Sequence, residues 1–436
     1  MTDSLHSAAH SLRPRRKAPF RSVLVLFHRW VGLLMASFLV IVGMTGSVLA
    51  FKTDLEHIIN PQLFAKPRPG VPPLDLVALA ENAAALVPLG KVSSVSFAGP
   101  DQVSVGFHPR KNPTTGQPYD LGFTQLFLDP WTGQELGRRR YGDLSQGRVN
   151  LLPFVYQLHY ELAMGVPGVW VLGIVALLWT LDCFVGFYLT LPASNGRFWQ
   201  RWKLAWLIKW RASTYRINFD LHRASGLWLW LALLIFGWSS VQMNLWDTVY
   251  TWTTRVVMDY RPVWTELHNL PEPLENPRLD WREALNTSQH LMAEEAASQA
   301  FSVEKPITLS FDADRGVYAY TVRSSREIKG KGGSTTVFFD ANTGALLLLD
   351  LPTGQHSGNT FSNWLYELHT ARVFGLTWRI FVCILGLVIS VLSVTGIYVW
   401  WRKRRVRISM GIRRSAWRDT TTTLPDLAMP IRVRGK

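Results

Sequence analysis

Cysteine is almost missing from this chain: two residues in 436, Cys183 and Cys383, both inside apolar runs. That excludes a disulfide framework and a thiolate metal site, and both are expected as small buried hydrophobes. A G-x-G-x-x-G turn is also missing, so no dinucleotide-binding domain is expected, and Gly330, Gly332 and Gly333 read as a hairpin loop. Acidic residues are scarce, 31 against 46 basic, giving a net charge of +15. Inside the long apolar runs the only acid is Asp182. A metal-ion carrier built on an intramembrane carboxylate pair therefore has no basis here.

What is abundant is apolar surface, 48 % of residues with 20 Trp. The positive charge is not spread over a face, as nucleic-acid binding would need. Segments 1–29, 192–223 and 401–436 hold 24 of the 46 basic residues and only four acids, and each adjoins an apolar run. This is the positive-inside pattern, so the charge reports membrane topology and argues against nucleic acid.

Read in order, residues 1–22 form a basic tail and 23–51 a first span, since about 20 apolar residues cross the hydrocarbon. Arg15-Arg16 raises a twin-arginine signal, but no small-residue cleavage site follows, so an uncleaved signal-anchor is expected. Residues 52–150 alternate like a soluble α+β module, with a helix over 74–86, strands at 94–97 and 102–107, and a strand running into Asp129-Pro130-Trp131-Thr132-Gly133. Residues 151–191 are a second span with an outer helical extension, kinked at Pro167. Residues 192–223 make a basic loop in which Trp199, Trp202, Trp206 and Trp210 fall on one helical face, an interfacial amphipathic helix. A third span (224–246), a second module (247–355), a fourth span with its extension (356–401) and a basic tail (402–436) complete the chain. In the second module a helix over 279–299 precedes strands and Asp340-Ala341-Asn342-Thr343-Gly344. The expectation is a four-span α-helical membrane bundle with two extracytoplasmic α+β modules, internally duplicated, with both termini cytoplasmic.

The duplication is written in histidines. Tyr156-Gln157-Leu158-His159 returns 210 residues later as Tyr366-Glu367-Leu368-His369, and Gly165, Gly186 and Tyr188 return at the same offset as Gly375, Gly396 and Tyr398. His28-Arg29-x-x-Gly32 returns as His222-Arg223-x-x-Gly226. The topology puts His28 and His222 at the inner ends of spans, and His159 and His369 at the outer ends. A two-fold relation between halves would bring each pair face to face. Two facing imidazoles in an apolar slot are what a six-coordinate haem b requires, so two haems per chain are expected, one near each membrane face. Arg29 and Arg223 are the candidates for propionate contacts. His57, His108, His268, His290 and His356 are unrepeated and read as surface residues.

These segments resemble the PepSY-associated transmembrane-helix family, and the pieces 126–133 and 337–344 resemble PepSY modules. The resemblance covers nearly the whole chain. It implies an iron-regulated protein of the bacterial inner membrane, of the siderophore-reductase kind, passing electrons through the haems of His28/His222 and His159/His369 to a ferric siderophore in the periplasm. Some relatives append a flavin and nicotinamide domain. This sequence ends about 35 residues after its last span, so a separate donor, a cytosolic flavoprotein or membrane quinol, is expected. The alternative is a cofactor-free, membrane-anchored PepSY protein that binds and regulates periplasmic proteases.

Overall fold

The computed structural model describes residues 20–192 and 197–422. Arg15-Arg16, His6, His10 and the far end of the basic C-terminal tail lie outside the described residues. The described chain divides into two compact units. One comprises the residues up to Ala36, Leu181–Trp230 and those from Leu392; the other comprises Ser37–Thr180 and Leu231–Val391.

The second unit contains the sheet. After α1 (Phe20–Leu49) and α2 (Lys52–Ile59) comes α3 (Leu76–Leu86), started by Asp75, whose carboxylate accepts the Val77 and Ala78 amides. Four strands follow, β1 (Gly90–Gly99), β2 (Gln102–Pro109), β3 (Gln125–Leu128) and β4 (Glu135–Arg139). The turn into β4 forms as its sequence dictates: Asp129 Oδ1 accepts the Trp131 and Thr132 amides, and Gly133 takes φ +68°.

The two expected modules are one sheet. β5 (Val303–Asp312), β6 (Val317–Ser324), β7 (Thr335–Asp340) and β8 (Leu346–Asp350) form a second antiparallel meander, and β5 pairs with β1. The strand order is β4-β3-β2-β1-β5-β6-β7-β8. Ser96 Oγ and Thr308 Oγ1, opposite each other across the seam, are 2.7 Å apart. Joining there removes two exposed strand edges. The helix later in the chain, Trp281–Ser298, starts with a capping box of Asp280 and Glu283. It shares one apolar core with α3 and the sheet, built on Leu79, Ala83, Val95, Leu126, Leu309 and Phe339.

The apolar helices are α1, a helix over Val166–Thr190 and a long one over Gly375–Thr422. These three are long and apolar enough to cross a membrane. The expected third span is two helices, Thr214–Trp228 and Trp230–Asn244, bent by 70° at Leu229; counted as one span they bring the total to four. No proline sits at this break. The indoles either side of it are committed elsewhere, Trp228 to the Trp206 carbonyl and Trp230 to the Cys183 carbonyl.

In numbered order α4 is Leu151–Glu161, α5 Val166–Thr190, α6 Phe198–Lys203, α7 Thr214–Trp228 and α8 Trp230–Asn244. Two short turns, α9 (Thr251–Thr254) and α10 (Val263–Glu266), precede α11 (Trp281–Ser298), α12 (Ser357–His369) and α13 (Gly375–Thr422).

Three local expectations change. Pro167 does not kink a continuous helix; it sits in the first turn of α5, where its missing N–H is harmless, and the break is the left-handed stretch Leu162, Ala163 and Gly165 before it. The amphipathic helix of the basic loop is only α6 with one 3-10 turn, Leu204–Trp206, so Trp210 falls outside it. Buried Asp220 accepts the Lys209 amide, which a continued helix would need. The helix that carries the last expected span continues past Trp401: α13 runs on to Thr422.

Small residues set the helix spacing within the second unit. Gly43 on α1 and Gly386 on α13 each lie against the other's carbonyl, where an added Cβ would come within 2.6 Å. Beside them Ser47 Oγ donates to the Cys383 carbonyl at 2.8 Å. This is the close backbone approach that packs helices in lipid.

Candidate functional site

The four repeated histidines form two pairs. In the first unit the His28 and His222 rings have centroids 6.0 Å apart, and in the second His159 and His369 are 6.2 Å apart. Each pair joins a histidine from one half of the sequence to its counterpart in the other.

Each ring is also fixed by one nitrogen. His28 Nδ1 lies 2.9 Å from both carboxylate oxygens of Asp182 on α5. His222 Nδ1 donates to the Leu392 carbonyl of α13 at 3.0 Å. His159 Nδ1 lies 2.9 Å from Thr45 Oγ1 on α1, and His369 Nδ1 lies 2.7 Å from Ser239 Oγ on α8. A carboxylate and a carbonyl can only accept. Thr45 already donates its proton to the Ile41 carbonyl and Ser239 to that of Phe236, so these hydroxyls accept as well. All four Nδ1 atoms therefore carry the proton, and all four Nε2 atoms keep a free lone pair. The Nδ1 partner always comes from the histidine's own half of the sequence, while the facing ring comes from the other half.

The spacing suits one metal ion between each pair of rings. A metal–imidazole bond is about 2 Å and a ring centre lies about 1 Å behind its nitrogen, so two rings on one ion have centres roughly 6 Å apart. Among the described residues no group of three or more His, Cys, Asp or Glu is placed to hold a metal. Each pair can offer two imidazole nitrogens to one ion, the number of axial ligands a six-coordinate haem iron takes.

Glycine explains the rest of the repeated pattern. Gly186 faces the His28 ring and Gly396 the His222 ring, where an added Cβ would stand 3.7 and 3.2 Å from Cε1. Gly46 does the same for His159 at 3.0 Å. Gly32, one turn from His28 on α1, meets nothing within 4 Å, and Gly226, one turn from His222, meets only Leu392 at 3.9 Å. These two positions leave open space one turn from each histidine. Gly165 and Gly375 have a different task, ending the loops after α4 and α12 at φ +64° and +63°.

A family model, the PepSY-associated TM region, matches residues 25–403. The chain belongs to this family. No curated protein matches it. Family and apolar helices together make this PepSY-associated chain a membrane protein.

Of the six site residues expected from sequence, the four histidines come together as two pairs. Arg223 is bound to buried Asp220 at 2.8 Å and to the Leu204 carbonyl at 2.7 Å, with its Nε unpartnered. Arg29, half-buried, follows His28 on α1. Of the unrepeated histidines, His57 stacks on Phe64 and His356 pairs with Asp259, at 3.6 and 2.6 Å. Sequence reasoning noticed Asp182 only as the lone acid in a span and missed its role. Thr45 and Ser239 carried no signal, because hydroxyls that bond back to their own helix are common in apolar helices.

Proposed function

We propose that this chain is a dihaem reductase of the bacterial inner membrane. It takes electrons from a separate cytosolic flavoprotein or membrane quinol and delivers them to a ferric siderophore in the periplasm. The observation that carries the reading is the state of the histidines: four rings in two facing pairs, every Nδ1 held by a protein acceptor, every Nε2 left over. A protease regulator without a cofactor has no use for that arrangement.

His28 with His222, and His159 with His369, would be the axial ligands. The bound haem supplies a one-electron carrier at each pair. The protein's part is to hold the rings in one tautomer and orientation and to keep water away with apolar neighbours such as Phe236, whose ring centroid is 4.8 Å from that of His369. The basic segments would face the cytoplasm, with both termini inside, four spans and the sheet in the periplasm. The substrate chemistry is a one-electron reduction of chelated Fe(III) to Fe(II), each electron drawn from the reduced flavin or quinol. Hard oxygen chelators hold Fe(II) far more weakly, so reduction frees the metal.

The decisive experiment is a reduced-minus-oxidised visible spectrum of the purified protein and of His→Ala variants at 28, 159, 222 and 369. Wild type should show a low-spin haem b with two equivalents per chain, and each variant should lose one. The reduced protein should be reoxidised by ferric siderophore. No haem band, or haem unaffected by all four substitutions, defeats the proposal.

A further inference from the structure

Three of the four histidines give their Nδ1 proton to uncharged oxygens: Thr45, Ser239 and the Leu392 carbonyl. His28 is the exception. Its partner is the Asp182 carboxylate, with both oxygens at 2.9 Å and the residue only 8 % exposed. Among the described residues, the ion pair Asp182 makes is with His28. A buried acid in a membrane helix is costly and is retained where it serves function. Orientation alone does not require it, because neutral oxygens orient the other three rings.

We infer that Asp182 makes the His28/His222 site the more reducing of the two. The inference rests on the dihaem reading: a carboxylate drawing on the Nδ1 proton raises the electron density at Nε2. A more basic ligand stabilises the higher charge of an oxidised metal and so lowers the reduction potential of that site. Electron movement from the His28/His222 site to the His159/His369 site is then downhill. Asp182 acts through His28 and is a positioning and tuning residue.

The test is a potentiometric titration of the purified full-length protein, followed by its visible spectrum. Wild type should resolve two one-electron waves. His159→Ala should keep only the lower wave and His28→Ala only the upper. Asp182→Asn should raise the lower wave and leave the upper in place, while Asp182→Glu should leave both near their wild-type positions. Coincident waves in wild type, the reverse assignment in the two histidine variants, or an Asp182→Asn shift that is absent or falls on the upper wave would overturn the inference. The wild-type and histidine-variant titrations decide it even where Asp182→Asn fails to fold. A wild type with no haem band removes the functional reading itself, and is told apart because no wave exists to measure.

Discussion

Thr45 Oγ1 and His159 Nδ1 stand 2.9 Å apart between α1 and α4, and Ser239 Oγ and His369 Nδ1 stand 2.7 Å apart between α8 and α12. The two rings that face each other are thus steered by hydroxyls from different halves of the sequence.

Removing either hydroxyl should loosen one site and spare the other. On the proposed dihaem reading, Thr45→Val and Ser239→Ala are each expected to weaken haem retention at the His159/His369 site by about 10–100-fold. Haem-to-protein ratios through successive dilution and washing measure this. Retention equal to wild type in both variants would show that the hydroxyls do not position the rings.

Gly46 tests the room around His159. An added Cβ would stand 3.0 Å from Cε1 of that ring, so Gly46→Val must displace it. On the proposed dihaem reading half the haem absorbance should be lost, whereas Gly330→Val, where an added Cβ meets only the Arg372 carbonyl at 3.8 Å, should keep all of it. Full absorbance from Gly46→Val would sink the close-packing argument.

Strand β4 is tied to α2 by a buried ion pair, Glu56 with Arg139 at 2.6 Å, their side chains 11 % and 8 % exposed. Arg139 also reaches Gln125 and the Val149 carbonyl. Arg139→Met leaves Glu56 buried and unpaired and should cost about 3–5 kcal/mol, while Glu56→Leu/Arg139→Met together should cost far less. Unfolding midpoints in detergent decide this; equal losses in single and double variants would contradict it.

Asp350, at the end of β8, has its carboxyl pushed from the ordinary 3.8 up to about 6, chiefly by burial, with Arg261 and His356 pulling the other way. A raised acid favours the folded state while it is protonated. Its contribution is fully present below about pH 4 and is lost as the pH rises through about 6. Asp350→Asn should therefore match wild type near pH 4 and exceed it by about 3 kcal/mol at pH 7. Unfolding followed across that range checks the sign, and a difference that does not grow with pH would refute it.

Much of this was legible in the residues because it is local. Asp129 and Asp340 close their turns by accepting amides two and three residues on, and Gly133 and Gly344 supply φ +68° and +74°, all within five residues of sequence. Three of the apolar helices followed from run length. The pairing of His28 with His222 and of His159 with His369 followed from repetition, which carries non-local information in one chain.

What the tertiary structure alone decided is where distant backbone and polar atoms meet. Nothing local to β1 or β5 says that they pair, since both are ordinary alternating strands that could equally have remained edges. The 70° bend at Leu229 arises beside indole hydrogen bonds to carbonyls of other segments, 22 and 47 residues away. The Nδ1 partners of the four histidines lie between 114 and 170 residues from them. A histidine's sequence fixes that it can bind a metal; only the packed fold chooses which nitrogen is free, and whether a charge stands behind it.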